Sequence, residues 1–269
     1  MILSLLASAL ALAGQQMPRS DALPDAPPVV PAQRTVARPL KLTKILLLGD
    51  STVAPVSGWG GAFCAEHVAA QVACLNLARG GRSTRSYREE GSWQAALAEA
   101  SVPEYAGIYV LIQFGHNDGN PRMAARTDLD PEFGDNLRRF VRELRSRGAT
   151  PVLVTPMVRR LFGAQGLYNS LAPWAERTRA VAREMNVPLV DLNALSADLV
   201  RDLGPDRAPT LGYQPKAVAP PADGSAARHR FTRRKDPTHL GDDGARRIAA
   251  IVADALARAV PALAPVIAP

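Results

Sequence analysis

The sequence has few aromatic residues, few cysteines and no later apolar segment long enough to cross a membrane. Aromatic residues make up 5% of the 269 positions, which argues against a protein built on exposed stacking platforms. Cys64 and Cys74 are ten positions apart and lack the histidine pattern of a zinc site. They form either a disulfide in an oxidising compartment or two buried free thiols. The G-x-S-x-G motif of the common α/β-hydrolase nucleophile is also absent.

The N-terminal region predicts export. Residues 1–13 form a short apolar run ending in Ala11-Leu12-Ala13, which fits the small-x-small rule for signal-peptide cleavage. No lysine or arginine precedes the run, so a misassigned start codon or a loosely packed terminal helix is the alternative. Residues 14–42 contain six prolines among small and polar residues, a composition that predicts a linker. We therefore expect a secreted or periplasmic protein with one folded domain over residues 43–260.

Positive charge is concentrated late in the chain. The net charge is +7, and residues 204–235 carry seven basic and two acidic side chains, hence +5 of that total. The basic residues are Arg207, Lys216, Arg228, Arg230, Arg233, Arg234 and Lys235. No nucleic-acid-binding motif accompanies them, so we expect no nucleic-acid partner. This basic segment is either a solvated loop or a source of positive potential that attracts an anionic substrate.

Short apolar runs alternate with helix-forming segments from residue 43 onwards. The runs predict strands at residues 44–48, 72–77, 108–114, 152–155 and 187–190. Helices are predicted at residues 60–71, 132–147, 170–186 and 242–258, the last with Asp242 as its N-cap. Strands joined by helical crossovers indicate a parallel sheet covered on both faces. The predicted fold class is therefore α/β, a single doubly wound parallel sheet.

Polar segments fall where the predicted strands end. Gly49-Asp-Ser-Thr52 follows the first strand, Asn76–Ser83 the second and Gly115-His-Asn-Asp118 the third, while Asp236-Pro-Thr-His239 precedes the last helix. In parallel sheets, ligand sites form at the carboxyl ends of the strands. Each segment alone is ordinary turn or cap chemistry, but together they predict one site.

The residue types in these segments suit acyl transfer. An acid and an imidazole three positions apart in a turn can meet, which leaves the second ring nitrogen free to take a serine proton. A glycine N–H and an asparagine amide can stabilise the oxyanion that develops during acyl transfer. Ser51, Asp236 and His239 are therefore the candidate catalytic residues.

The four segments, in this order, resemble the blocks of the SGNH hydrolase (GDSL esterase) family. The resemblance covers residues 44–256, and Gly81-Arg-Ser-x-Arg-Ser-Tyr87 and Phe114-Gly-His-Asn-Asp118 point to the rhamnogalacturonan acetylesterase-like subgroup. It implies a flavodoxin-like sheet, Ser51 as nucleophile, His239 as base and acid, and Asp236 as its orienting carboxylate. The implied oxyanion donors are the backbone N–H groups of Ser51 and Gly81 and the side chain of Asn117.

Substrate contacts and substrate identity are less defined. Arg82 and Arg85 are candidates for binding a sugar carboxylate, and His116 has either a substrate contact or a structural hydrogen-bonding role. The resemblance implies a cofactor-independent, metal-independent esterase that removes acetyl groups from a cell-wall polysaccharide resembling rhamnogalacturonan or pectin, and a monomer is favoured. The alternatives are a short-chain lipase or thioesterase, an acetyl-xylan esterase of the same fold, and a non-catalytic carbohydrate-binding protein.

Overall fold

The fold is built on one parallel sheet, seen in a computed structural model that describes residues 42–124, 126–213 and 236–268. Its strands are β1 (Leu42–Gly49), β2 (Ala73–Asn76), β3 (Tyr105–Gln113), β4 (Thr150–Val154), β5 (Phe162–Gly163), β6 (Gly166–Leu167) and β7 (Leu189–Val190). Five of them form the parallel sheet in the order β2-β1-β3-β4-β7, and β5 and β6 form a separate antiparallel hairpin.

Seven α-helices connect or follow the strands in the described ranges. They are α1 (Gly60–Ala62), α2 (Thr84–Glu89), α3 (Ser92–Glu99), α4 (Gly134–Arg145), α5 (Ala172–Met185), α6 (Leu192–Arg207) and α7 (Asp242–Ala259). In α4 the apolar side chains recur every three or four positions, so one face of the helix is buried and the other is charged. Gly148, with a φ of +75°, follows this helix and lets the chain turn into β4.

The sheet is covered on both faces, which is why its strands are apolar at successive positions. In β1, Ile45 and Leu47 pack in the hydrophobic cluster that includes α6 and α7, whereas Leu46 and Leu48 pack in the cluster that includes α3 and α4. Successive side chains of a strand point to opposite faces, so a strand buried on both sides needs apolar residues throughout. The predicted fold class, a doubly wound α/β sheet, is confirmed.

Two predicted helix boundaries are wrong. The helix expected over residues 60–71 ends at His67, because Val68 turns to an extended conformation and pairs with Ile267 near the C-terminus. Asp242 is not the N-cap of α7; Gly241 occupies that position and donates its N–H to the Leu211 carbonyl. Asp242 lies instead in the first turn, where a carboxylate interacts favourably with the helix dipole.

The predicted terminal and basic segments lie partly outside the described residues. Neither the signal peptide at residues 1–13 nor the linker at 14–42, except its last residue, falls within them. Of the basic segment, residues 204–207 complete α6 and Ala208–Leu211 form a 3₁₀ turn, with Ala208 and Leu211 buried in the core. Residues 214–235 lie outside the described ranges. The fold continues past residue 260 in a 3₁₀ segment, Pro261–Val266.

Candidate active site

Ser51 lies in a tight turn directly after β1. The buried carboxylate of Asp50 accepts hydrogen bonds from the Thr52 backbone N–H at 2.8 Å and the Thr52 hydroxyl at 2.7 Å. Gly49 permits the turn, since a Cβ at this position would lie 2.6 Å from the Gln113 carbonyl oxygen. These contacts hold the Ser51 backbone at the carboxyl edge of the sheet and leave its hydroxyl to face other segments.

The structure brings Ser51, His239 and Asp236 into one chain of hydrogen bonds. His239 Nε2 lies 2.8 Å from Ser51 Oγ, and His239 Nδ1 lies 2.7 Å from Asp236 Oδ2. Because an ionised carboxylate only accepts hydrogen bonds, the network assigns the ring proton to Nδ1 and leaves Nε2 to accept the Ser51 hydroxyl proton. This is the arrangement that activates a serine hydroxyl for nucleophilic attack.

The Asp236 carboxylate is held in its ionised form by donors from its own turn. Oδ1 accepts the backbone N–H groups of Thr238 at 2.8 Å and His239 at 3.1 Å. Burial raises the pKa of this carboxyl, but these bonds, together with the His239 ring, outweigh burial and hold the pKa below its ordinary value. The D-x-x-H spacing thus lets one turn orient both side chains.

The loop after β2 passes over Ser51. A Cβ on Gly80 would lie 3.5 Å from the Ser51 Cβ, whereas Gly81 adopts a φ of +79°, a conformation that favours glycine. The Asn117 side-chain amide donates one hydrogen bond to the Arg82 carbonyl at 3.0 Å. A primary amide has two N–H groups, so Asn117 both holds the glycine loop and keeps a second donor.

Asp118 connects the two loops that carry Gly81 and Asn117. Its Oδ1 accepts hydrogen bonds from the Thr84 backbone N–H (2.8 Å), the Thr84 hydroxyl (2.6 Å) and the Thr127 hydroxyl (2.9 Å). Burial nevertheless raises the pKa of Asp118 to about 6 against the lowering effect of these donors, and the charge of Asp50 adds to the rise. A buried carboxylate therefore fixes the distance between the predicted oxyanion donors.

Residues 47–247 match the family described as GDSL-like Lipase/Acylhydrolase. The chain belongs to this family. The family resemblance and the ester hydrolase activity predicted from the sequence are thereby confirmed.

Relatives of this GDSL-like acylhydrolase include enzymes named for carbohydrate deacetylation. It is 35% identical over 226 residues to the rhamnogalacturonan acetylesterase RhgT of Bacillus subtilis. This match covers 80% of this chain and 90% of the relative. Over a shorter stretch of 94 residues it is 47% identical to a rhamnogalacturonan acetylesterase of Emericella nidulans, covering 34% of this chain and 35% of the relative.

Solved structures share the fold. The crystal structure of the Bacillus subtilis protein YxiM superposes with a TM-score of 0.64 at 27% identity, covering 82% of this chain and 58% of that one. The chain thus spans little more than half of that structure. The acetylxylan esterase Axe2 of Geobacillus stearothermophilus superposes with a TM-score of 0.53 at 20% identity, covering 80% of this chain and 93% of that one.

The predicted substrate-contact residues make contacts within the protein. The His116 ring is 3% exposed, and its Nδ1 faces the Asp50 carboxylate at 3.6 Å, which favours the structural alternative. Arg82 folds back to donate to the Gly80 carbonyl and to Glu90, both at 2.8 Å. Arg85 forms a two-bond ion pair with Glu132. A sugar-binding role for Arg82 and Arg85 stays a prediction. In such a role a sugar carboxylate would share these guanidinium groups with Glu90 and Glu132.

Neither a metal-binding cluster nor a membrane-spanning helix occurs in the described ranges. No group of three or more His, Cys, Asp or Glu side chains there could hold a metal ion. None of the helices in that part of the chain is long and apolar enough to cross a bilayer.

Two arginines beside the site were not predicted from the sequence. Arg159 and Arg160 follow β4; Arg159 donates to the His116 carbonyl at 3.0 Å, and Arg160 donates to carbonyls of the Asp236–His239 turn. Adjacent arginines form no recognisable motif. Their backbone-directed bonds depend on tertiary contacts across more than forty positions, so no sequence signal was available to find them.

Proposed function

We propose that this enzyme removes acetyl groups from an acetylated pectic polysaccharide of the rhamnogalacturonan type, outside the cytoplasm, through an acyl-enzyme. The hydrogen-bond chain from Ser51 through His239 to Asp236 is the observation that carries the mechanism. The sequence relation to two rhamnogalacturonan acetylesterases supports the substrate class.

In the first half-reaction, His239 Nε2 takes the hydroxyl proton as Ser51 Oγ attacks the acetyl carbonyl carbon. The tetrahedral oxyanion receives hydrogen bonds from the backbone N–H groups of Ser51 and Gly81 and from the Asn117 amide. The Asp236 carboxylate stabilises the imidazolium formed at His239. The bond between the acyl carbon and the sugar oxygen then breaks, and the His239 proton moves to the departing sugar oxygen.

In the second half-reaction, water hydrolyses the acetyl-Ser51 ester. His239 Nε2 takes a proton from the water as its oxygen attacks the acyl carbon, and the same oxyanion donors serve again. The new tetrahedral intermediate collapses, Ser51 recovers its proton from His239, and acetate is released. The proton transfers use Ser51, His239 and Asp236, which are already in hydrogen-bond contact, and no step needs a redox change.

Export is supported by the disulfide between Cys64 and Cys74. Structural disulfides persist in oxidising compartments and are rare in the cytosol of mesophiles. Mass spectrometry of the mature protein, purified from the medium or periplasm of an expressing cell, tests this. Cleavage after Ala13 is the expected result, and recovery only from the cytosol with free thiols would contradict it.

Acetate release from a panel of acetylated substrates tests the proposed substrate. The panel comprises acetylated rhamnogalacturonan, acetylated homogalacturonan, acetyl-xylan and model esters with acyl chains of increasing length. We expect the highest kcat/KM on the acetylated rhamnogalacturonan and a steep fall as the acyl chain lengthens. Equal or better rates on acetyl-xylan or on long-chain esters would replace the proposal with one of its alternatives.

Ser51→Ala is the control that separates catalysis from binding. Loss of the nucleophile is expected to lower kcat on the order of 10⁴-fold or more, with substrate binding retained because the sheet edge is intact. Unaltered hydrolysis by this variant would refute the assigned mechanism. Polysaccharide binding without hydrolysis by the wild-type enzyme would identify a carbohydrate-binding protein instead.

A further inference from the structure

Arg160 makes an unusual set of contacts with the turn that carries Asp236 and His239. It follows β4 and is 8% exposed, so its guanidinium is largely removed from solvent. Nη2 donates to the Asp236 carbonyl and to the His239 carbonyl, both at 2.8 Å. The Arg160 backbone N–H donates to the Pro237 carbonyl at 2.8 Å, and Nη1 lies 3.5 Å from the Thr238 carbonyl.

Four successive carbonyl groups of the turn thus face one residue. The side of the turn that faces the largely buried Arg160 guanidinium is shielded from water, so its carbonyl oxygens need donors, because an unsatisfied buried polar group costs about 1–3 kcal/mol. A guanidinium supplies several donors in one plane and never loses its charge at physiological pH. Gly212 makes room for it, since a Cβ there would come within 2.8 Å of Arg160 Nη2.

The other backbone hydrogen bonds between the turn and the rest of the described chain lie at its C-terminal end. The Leu240 N–H donates to the Ser57 carbonyl at 2.9 Å, and the Gly241 N–H donates to the Leu211 carbonyl at 3.0 Å. Both bonds follow His239, whereas the Asp236 carboxylate bonds within its own turn. In the described part of the chain, Arg160 is therefore what ties the backbone of Asp236 and Pro237 to the sheet edge.

We propose that Arg160 is a positioning residue of the active site: by holding the backbone carbonyls of the Asp236–His239 turn, it keeps His239 within hydrogen-bond reach of Ser51. This rests on the catalytic roles proposed above. The 2.8 Å separation of Nε2 and Oγ leaves little tolerance, because a shift of about 1 Å removes the bond and can cost about a hundredfold in rate.

Arg160→Met tests the proposal, since it keeps an unbranched apolar stem and removes the donors. Arg179→Met is the matched control: Arg179 is also partly buried, but its guanidinium pairs with Asp191, the N-cap residue of α6, with both bonds at 2.9 Å. The assay is the burst of p-nitrophenolate from p-nitrophenyl acetate, measured below the melting temperature of every variant. Its rate constant reports acylation, and its half-saturation concentration reports binding.

We expect Arg160→Met to slow acylation about ten- to a hundredfold, with the half-saturation concentration changed less than about twofold. The low-field proton resonance of the His239–Asp236 bond is expected to disappear in Arg160→Met. Arg179→Met is expected to lose thermal stability while keeping the wild-type burst and resonance. A folded Arg160→Met with the wild-type burst rate or resonance would overturn the proposal.

Arg160→Lys keeps the test decisive if Arg160→Met does not fold. Lysine retains the charge but not the planar fork that reaches two carbonyls, so we expect an intermediate burst rate and a shifted resonance. Wild-type values for both would overturn the proposal. Failure of the proposed mechanism is distinguishable, because it would appear as hydrolysis that survives Ser51→Ala, whereas the resonance reports positioning without turnover.

Discussion

Asp50 and Asp118 are neighbouring buried carboxylates whose pKa values move in opposite directions. Burial raises the pKa of Asp50, but the nearby His116 ring and the two donors of Thr52 outweigh burial, and the pKa lies below its ordinary value. Burial prevails at Asp118, whose pKa rises to about 6. The neighbouring charges account for the contrast: Asp50 Oδ2 lies 3.6 Å from the His116 ring, which lowers the pKa of Asp50, whereas the negative charge of Asp50 raises the pKa of Asp118.

The raised pKa of Asp118 predicts a specific pH dependence of stability. Between pH 3.8, the ordinary pKa of an aspartate, and about pH 6, the folded state keeps a proton that the unfolded state has released. Stability therefore falls as pH rises through this window, by roughly 3 kcal/mol from this group. Asp118→Asn, which cannot ionise, is expected to lack this contribution.

Urea unfolding of wild type and Asp118→Asn at about pH 4 and pH 7.5 measures the effect. Contributions of the other carboxylates cancel when the pH-induced changes of the two proteins are subtracted. We expect the wild type to lose roughly 2–3 kcal/mol more than the variant over this interval. Identical pH dependence in the two proteins would mean that Asp118 has no raised pKa.

At the scale of elements, the disulfide fastens an edge strand. Cys74 lies in β2, which pairs with β1 alone, and Cys64 lies in the helical turn Phe63–His67. The four residues of β2 are only half-buried, so the strand has less apolar packing than β1 or β4. Because the loop with Gly80 and Gly81 leaves from the end of β2, the bridge also supports one side of the active site.

Removal of the bridge is expected to lower stability without abolishing catalysis. The ten-position separation of the cysteines corresponds to a loop-closure contribution of about 2.7 kcal/mol. Cys64→Ala/Cys74→Ala should lower the free energy of unfolding by about that amount. Dithiothreitol should lower the free energy of unfolding of the wild type equally and leave that of the variant unchanged. A wild-type stability that dithiothreitol does not change would contradict this prediction. Well below its melting temperature, the double variant should keep a kcat within about twofold of the wild-type value.

At the scale of the whole molecule, the excess of positive charge bears on the substrate. The net charge is +7, and the basic segment at residues 204–235 precedes Asp236 directly in sequence. A cationic surface raises the association rate of an anionic polymer, and salt screens this attraction over about 10 Å at 0.1 M. The association rate of a polysaccharide rich in galacturonate should therefore be raised, whereas that of neutral acetyl-xylan should not.

Salt titration tests this expectation. From about 10 to 300 mM sodium chloride, kcat/KM on acetylated rhamnogalacturonan should fall several-fold while kcat/KM on acetyl-xylan stays constant. A variant with glutamine at positions 228, 230, 233 and 234 should show a shallower slope, with Arg201→Gln and Arg258→Gln together as a surface-charge control. The same salt response on both substrates would exclude electrostatic attraction as the basis of substrate preference.

Composition and pattern alone determined the α/β class, five strands of the parallel sheet and the family motifs. Their causes are local: a strand buried on both faces must be apolar throughout, and a sharp turn after β1 needs glycine, an acid and a small hydroxyl residue. The short helices α2 and α3 were not predicted, nor was α6, whose last turn contains Gly204 and Pro205. The amphipathic pattern of these segments is too weak to predict a helix, because tertiary packing is what stabilises them in that conformation.

The tertiary structure alone decided how the motif residues are held. The pairing of Cys64 with Cys74, the burial of His116 against Asp50 and the contact of Arg160 with the Asp236–His239 turn join residues without a shared local pattern. Hydrogen-bond acceptors on the backbone leave no trace in residue identity, so an arginine that serves carbonyl groups looks like any other arginine. The candidate catalytic residues could therefore be predicted from the sequence, whereas the contacts that hold them in place could not.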